Sequence, residues 1–246
     1  MRASPRVDPM NPDFGDCRSL YGSRLAKRAI RGVIRVQIVL ALLLFVPAGS
    51  LRFWEAWLYW ILFSVSVLVI TLHLLQHDPA LVARRMQIGP GAESRMSQKI
   101  VQWVAGVLCA ALYLAPGFDH RLQWSTIPTP AVLVAIALVM FGLWIVFRAL
   151  KDNSYAAGTV RVEADQQVVS SGLYAWIRHP MYLGSFLGFL ATPLALGSLW
   201  ALLPAILLCA VVVVRLLDEE QHLSENLPGY DAYCRKVRYR LIPAVW

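Results

Sequence analysis

Six apolar runs, at residues 34–48, 54–75, 100–115, 131–150, 182–196 and 199–217, constrain this chain more than any other feature. They approach or reach the ~20 residues that a helix needs to cross a ~30 Å hydrocarbon layer. In that layer every backbone N–H and C=O must find its partner inside the protein, which a helix achieves unaided. The runs therefore predict an all-α integral membrane protein of about five to six transmembrane helices. The last two runs are parted only by Gly197 and Ser198, enough for a tight helical hairpin and too little for a domain boundary. Composition agrees: 58% of residues are hydrophobic and 15% charged, against about half and a quarter in soluble domains.

The net charge of +8 invites a nucleic-acid reading, but the placement of the basic residues excludes it. Of 23 Lys and Arg, only Arg52 and Arg121 fall in the loops that follow odd-numbered spans. The rest cluster at the opposite ends, as the positive-inside rule expects. Both termini and the two longer loops are thus expected in the cytoplasm, with membrane lipids as neighbours and no nucleic acid as partner. The expected location is a bacterial inner membrane. The first residues lack the apolar core of a cleavable signal peptide and read as a flexible tail that turns helical near Tyr21. A basic amphipathic segment at residues 24–35 then leads into the first span. Three parts follow: a tail and amphipathic segment at 1–33, four spans at 34–150, and a functional half at 151–246.

The polar boundary before the fifth span carries the first constellation, "RHPMY". Pro180 biases His179 out of the helical region and suits the first turn of a helix. Arg178 and His179 then cap a helix start whose N–H groups, beside a cation, form a ready anion site. Tyr174, Trp176 and Tyr182 add aromatic faces that can stack on a base or hold a cation. The plainer reading is a positive flank with an aromatic belt.

The second constellation is "RLLDEEQHL". Arg215 and Glu219 are four apart and share a helix face, with Asp218 and His222 at its edges. An Arg and a Glu so close to a membrane core mark a functional candidate; the plainer reading is an Arg that snorkels to the interface. The third is the tail "LPGYDAYCRKVRYRLIP". A break near Pro228-Gly229 should start a short helix that runs to Val237 and carries Tyr230 and Tyr233 on one face. That helix could close over a site or hold anionic lipid.

Other groups say less. Cys17, Cys109, Cys209 and Cys234 are scattered and form neither a disulfide framework nor a zinc site. His73 and His77 share helical spacing without a third ligand, so no metal is expected. Asn153 and Ser154 read as cap and turn residues. "TVRVE", at residues 159–163, alternates as a short strand would. Gly184 and Gly188 form a G-x-x-x-G, expected to pack against the sixth span of the hairpin.

Taken in order, "VVSSGLYAWIRHPMYLG", "RLLDEE" and "LPGYDAYCRKVRYRLIP" resemble the isoprenylcysteine carboxyl methyltransferase family, over roughly residue 153 to the C-terminus. The resemblance implies a membrane-embedded transferase using S-adenosylmethionine. By motif match, Tyr174, His179, Pro180, Met181 and Tyr182 would bind the cofactor, with Val168 and Val169 at its adenosine end. Glu219 would touch the cofactor as well, and Arg215 would face the acceptor carboxylate, making Arg215 and Glu219 the catalytic pair. Where eukaryotic members carry a histidine, this chain has Gln166 or Gln167. The acceptor implied is a lipophilic small molecule or lipid-modified group, most specifically an isoprenylcysteine-like carboxylate. A carboxylate acceptor needs no general base; an amine or hydroxyl would, and Glu219, Glu220 or His222 would then be candidates. The rival functions are a phospholipid N-methyltransferase, a membrane reductase using NADPH through a related C-terminal half, and a non-catalytic membrane protein.

Overall fold

In the computed structural model, residues 12–87, 91, 95–156, 158–159, 162, 166–243 and 245–246 are described, with side chains from residue 22 onward. Among them are eight α-helices and no strand: α1 Pro12–Ala48, α2 Trp54–His77, α3 Pro79–Arg85, α4 Met96–Leu122, α5 Thr129–Asp152, α6 Pro180–Ala195, α7 Leu202–Asn226 and α8 Tyr230–Lys236. Thr159 and Val162 of the expected "TVRVE" strand lie outside regular structure, and Val160, Arg161 and Glu163 fall outside the described residues. Helix α1 already begins at Pro12, earlier than the expected start near Tyr21.

Four helical stretches are long and apolar enough to cross a membrane: Gly22–Ala48, Trp54–His77, Met96–Leu122 and Thr129–Asp152. Helix α6 has 16 residues, about 24 Å at 1.5 Å per residue, short of a full hydrocarbon layer. The apolar part of α7 ends where Arg215, Asp218, Glu219 and Glu220 begin. Together α6 and α7 form the expected hairpin, turning at Gly197 with φ of +70°, a left-handed conformation that glycine adopts without penalty.

Two links fix this hairpin among the longer helices. At its apex, the buried Asp119 of α4 accepts from Ser198 Oγ at 2.5 Å and from Ser125 Oγ at 2.6 Å and Ser125 N at 2.7 Å. Along its length α6 lies against α5, where Gly142 and Gly184 let the two backbones touch. A Cβ on Gly184 would stand 2.5 Å from the Gly142 carbonyl oxygen, and one on Gly142 would stand 2.6 Å from that of Gly184. The G-x-x-x-G therefore serves the α5–α6 crossing, which corrects the expected pairing with α7. Hydropathy shows that a face is small, not which neighbour takes it.

Helix α3 was not expected. It follows α2 directly because Asp78 accepts from Leu81 N at 2.9 Å and Pro79 occupies the first helical position, an N-terminal cap with a proline start. The helix folds Leu81 and Val82 onto Ala29, Leu74 and Leu150 and turns Arg85 toward the space between α5, α6 and α7. The predicted break at Pro228-Gly229 is present. Helix α7 ends at Asn226, Gly229 takes φ of +85°, and α8 starts at Tyr230.

Candidate functional site

A cavity of about 490 Å³ opens at the end of the bundle where α6 begins and α7 turns polar. Its size is that of a small-molecule site. The polar end is walled by Asn153, Tyr174, His179, Tyr182, Glu219, Tyr230 and Tyr233. The other part lies between helices and is largely apolar: Ala105, Gly106 and Cys109 of α4, Phe189 of α6, and Leu208 and Val212 of α7. One space thus joins a polar, aromatic chamber to an apolar slot in the bundle.

Local rules place the chamber residues. Asn153 Oδ1 accepts from Tyr155 N at 2.9 Å, an Asx-type turn that ends α5. Gly172, with φ of +58°, lies where any Cβ would collide with the Asp152 carboxylate. That carboxylate accepts from Leu173 N at 3.1 Å, so a 3₁₀ turn at Gly172–Ala175 presents Tyr174 inward. The Tyr174 carbonyl accepts from Tyr233 Oη at 2.8 Å, which ties α8 to the loop. Burial pushes the Tyr174 hydroxyl up to about 12 and raises those of Tyr230 and Tyr233 as well. All three remain neutral donors.

The eight expected positions Val168, Val169, Tyr174, His179, Met181, Tyr182, Arg215 and Glu219 all line this cavity. Pro180 does not line it; it is the first residue of α6 and is buried beneath the wall. Gln166 and Gln167 also face the space. Arg215 and Glu219 are joined through a third group, the Tyr182 hydroxyl, which accepts from Arg215 Nε at 3.3 Å and donates to Glu219 Oε2 at 2.5 Å. Arg215 also donates to Gln98 Oε1 at 3.2 Å and to the Gly158 carbonyl at 2.8 Å. Gln98 of α4 and Arg95, which caps its start, both bond the Asp218 carboxylate.

The Arg178-His179 pair does something other than form an open anion site. Arg178 N donates to the Tyr239 carbonyl at 2.9 Å, and His179 N to that of Arg240 at 3.0 Å. The Arg178 guanidinium donates to the carbonyls of Val237 and Arg238 and to Glu220. These contacts stitch the tail to the start of α6, so the cation beside the helix start is committed to protein.

Glu220 is the centre of this stitch. Its Oε1 accepts from Arg178 at 2.9 Å and from His179 Nε2 at 3.2 Å, and its Oε2 from Arg240 at 2.7 Å. Burial alone would raise this carboxyl, but the hydrogen bonds from His179 and Arg240 and the charge of Arg178 outweigh it and hold it at about 2. A carboxylate so held is no general base at neutral pH. His222 pairs with Asn226 at 3.1 Å and is not in the cavity wall. Of the three base candidates only Glu219 faces the cavity.

Sequence reasoning missed Arg85, Gln98, Gln102, Thr159 and the α4 wall. Arg85 and Gln98 fall within a basic run that reads as a positive flank. Two buried wall hydroxyls, Thr159 Oγ1 and Tyr230 Oη, lack a hydrogen-bond partner among the described residues; the Cys234 thiol near Tyr230 is a weak acceptor only. Orphaned buried hydroxyls in an aromatic chamber fit a polar, partly aromatic ligand, and an adenosine-bearing cofactor is of that kind. Among the described residues no group of three His, Cys, Asp or Glu could hold a metal.

One family model covers part of the chain that contributes to the cavity. Residues 130–228, which supply α5, α6, α7 and the loop before the chamber, match the phospholipid methyltransferase family model. The chain is 35% identical over 106 residues to the mouse Delta(14)-sterol reductase TM7SF2, covering 41% of this chain and 25% of that protein. It is 28% identical over 108 residues to the Nickel-cobalt-cadmium resistance protein NccN of Alcaligenes xylosoxydans xylosoxydans, covering 42% of this chain and 49% of that protein. The chain thus spans a quarter to about half of these relatives. Residues 130–228, which supply much but not all of the cavity wall, are thus similar to phospholipid methyltransferases.

Proposed function

We propose that this protein is a membrane methyltransferase that uses S-adenosylmethionine and a lipophilic acceptor, and that the acceptor group is a carboxylate of the isoprenylcysteine kind. The observation that carries the reading is the continuity of the cavity. A charged, water-soluble cofactor suits the chamber of tyrosines and unpaired hydroxyls, and an apolar chain suits the slot between α4, α6 and α7. The match of residues 130–228 to the phospholipid methyltransferase model supports methyl transfer.

S-adenosylmethionine, when bound, supplies a methyl group already activated by its sulfonium. The residues described here would bind, orient and keep water out. Tyr174, Tyr230 and Tyr233 provide stacking faces and neutral donors. Glu219 offers the negative charge that a sulfonium or amino group favours, and Tyr182 fixes that carboxylate by hydrogen bond. Arg215, clamped by Gln98, Gly158 and Tyr182, sets a positive potential at the mouth of the slot. With a carboxylate acceptor no proton leaves, so no base is required.

A second reading is N-methylation of a phospholipid amine, favoured by the name of the matching family model. An amine must lose a proton, and Glu219 would be its base. A third is a reductase, favoured by the likeness to a sterol reductase. Thermal melting of the purified protein with S-adenosylmethionine, its demethylated product or NADPH separates the classes, because a ligand stabilises the state it binds. Stabilisation by the first two supports the proposal; stabilisation by NADPH alone sinks it. Transfer of labelled methyl to lipid extracts, followed by base hydrolysis, tells ester from amine products.

A further inference from the structure

Arg85 lies outside the segment that matches the family model, on the short helix α3, and its side chain enters the cavity wall beside Met181, Tyr182 and Tyr174. Among the described residues its guanidinium makes two hydrogen bonds, both from Nη1: to the Ala156 carbonyl at 3.2 Å and, to a weak thioether acceptor, Met181 Sδ at 3.4 Å. Among the described residues it takes part in no ion pair. The other two arginines of the wall are differently placed. Arg178 is committed to Glu220 and two carbonyls, and Arg215 to Tyr182, Gln98 and Gly158. A guanidinium carries five donors in a planar fork, so most of Arg85's donor capacity is unspent.

Arg85 is half-buried; drawing a cation even partly out of water without a counter-charge is costly, and proteins do so where a partner completes the site. Burial in this wall also draws the Arg85 pKa below its ordinary value, with Arg215 adding like-charge repulsion. The carboxylate that faces the same space, Glu219, is bonded by Tyr182.

We propose that Arg85 is the oxyanion-binding residue of the cavity: its guanidinium receives a carboxylate or phosphate borne by a bound ligand, beside Met181 and the Tyr182 face. This inference rests on the reading of the cavity as a cofactor and acceptor site, and it assigns anion recognition to α3 instead of to Arg215. The oxyanion has two sources, the amino-acid end of the cofactor or the head of an anionic lipophilic acceptor. Both present the planar or tripodal oxygens that a guanidinium fork matches.

The test is ligand binding to the full-length protein in detergent, with wild type, Arg85→Met and Arg85→Gln. Arg84→Met is the control, since Arg84 bonds the Ser154 carbonyl and does not line the cavity. The probes are S-adenosylmethionine against its decarboxylated form, palmitate against palmityl alcohol, and NADPH. If the cofactor carries the oxyanion, both Arg85 variants lose roughly ten- to a hundredfold in affinity for S-adenosylmethionine, the loss of a charged hydrogen bond. They then bind it no better than the decarboxylated form. If the acceptor carries it, cofactor affinity holds and the preference for palmitate over palmityl alcohol disappears. If wild type binds NADPH and not S-adenosylmethionine, and the Arg85 variants weaken NADPH, the anion site stands while the methyltransferase reading falls. Unchanged affinity of folded variants for all charged probes overturns the proposal. Equal affinity within both probe pairs in the wild type, together with no NADPH binding, overturns it without any variant.

Discussion

Arg178 reaches Glu220 at 2.9 Å across 42 residues of sequence, joining the loop before α6 to the polar end of α7. His179 and Arg240 close on the same carboxylate, so one buried acid holds three segments in register. Glu220→Ala should cost several degrees of melting temperature, because it leaves two cations and a histidine around an empty site. Glu220→Gln should cost less, since an amide still accepts one of the three bonds. A melting curve unchanged in both variants would dismiss this acid as a structural hub.

The same carboxylate predicts a pH dependence. Its folded value of about 2 lies below the ordinary 4.5, so its contribution is fully present above pH 4.5 and is lost as pH falls toward 2. The contribution is on the order of 3 kcal/mol at most. Wild type should lose stability across that interval more steeply than Glu220→Gln, as read by melting at stepped pH. Parallel profiles would refute the assignment.

Arg215 and Glu219 should separate kinetically if the proposed roles hold. Arg215→Ala should leave cofactor affinity nearly intact and depress turnover or acceptor binding. Arg215→Lys should rescue only in part, because a point charge cannot hold Tyr182, Gln98 and Gly158 together. Glu219→Gln should weaken cofactor binding and turnover together. Tyr182→Phe, which removes the bridge between them, should reproduce part of both effects. Should an apolar double replacement of Arg215 and Glu219 keep full activity, the pair has no part in the chemistry.

The two glycines of α6 should behave unequally. Gly184→Ala meets the α5 backbone at Gly142 and should cost roughly 1–3 kcal/mol as overpacking. Gly188→Ala meets open space within 4 Å and should be tolerated. Equal losses in the two variants would argue against the α5–α6 contact described here.

Reporter fusions at the N-terminus and after Trp246 should both report the cytoplasm, as expected from the basic residues. A C-terminus on the far side would mean an odd number of crossings and an inverted cavity mouth.

The helices were legible because hydropathy is a local quantity: each apolar run became a helix, and Gly197, Pro228 and Gly229 marked the turns. Tyr174, His179, Tyr182, Arg215 and Glu219 were legible as types at spacings, while Met181, Val168 and Val169 came only through the family resemblance; all of them reach one space. What stayed hidden depends on which helix neighbours which. Gly184 offers a small face to any partner, and only assembly assigns it to Gly142. Arg178 reads as a free cation until the tail carbonyls of Val237 and Arg238 fall within its reach. Arg85 is indistinguishable in sequence from the arginines that merely flank a span, because its meaning comes from α3 turning it inward.

The stitch between residues 178–179 and 239–240 also sets the order in which the protein can mature. The spans can enter the bilayer as they leave the ribosome, but the loop before α6 is not tied to the tail until the chain beyond Val237 has been made and has folded back onto residues translated some sixty positions earlier. Insertion and ligand competence are therefore separate events in synthesis. A chain arrested before Arg238 would hold every lining residue of the cavity but not the contacts from Arg238, Tyr239 and Arg240 that secure Arg178, His179 and Glu220.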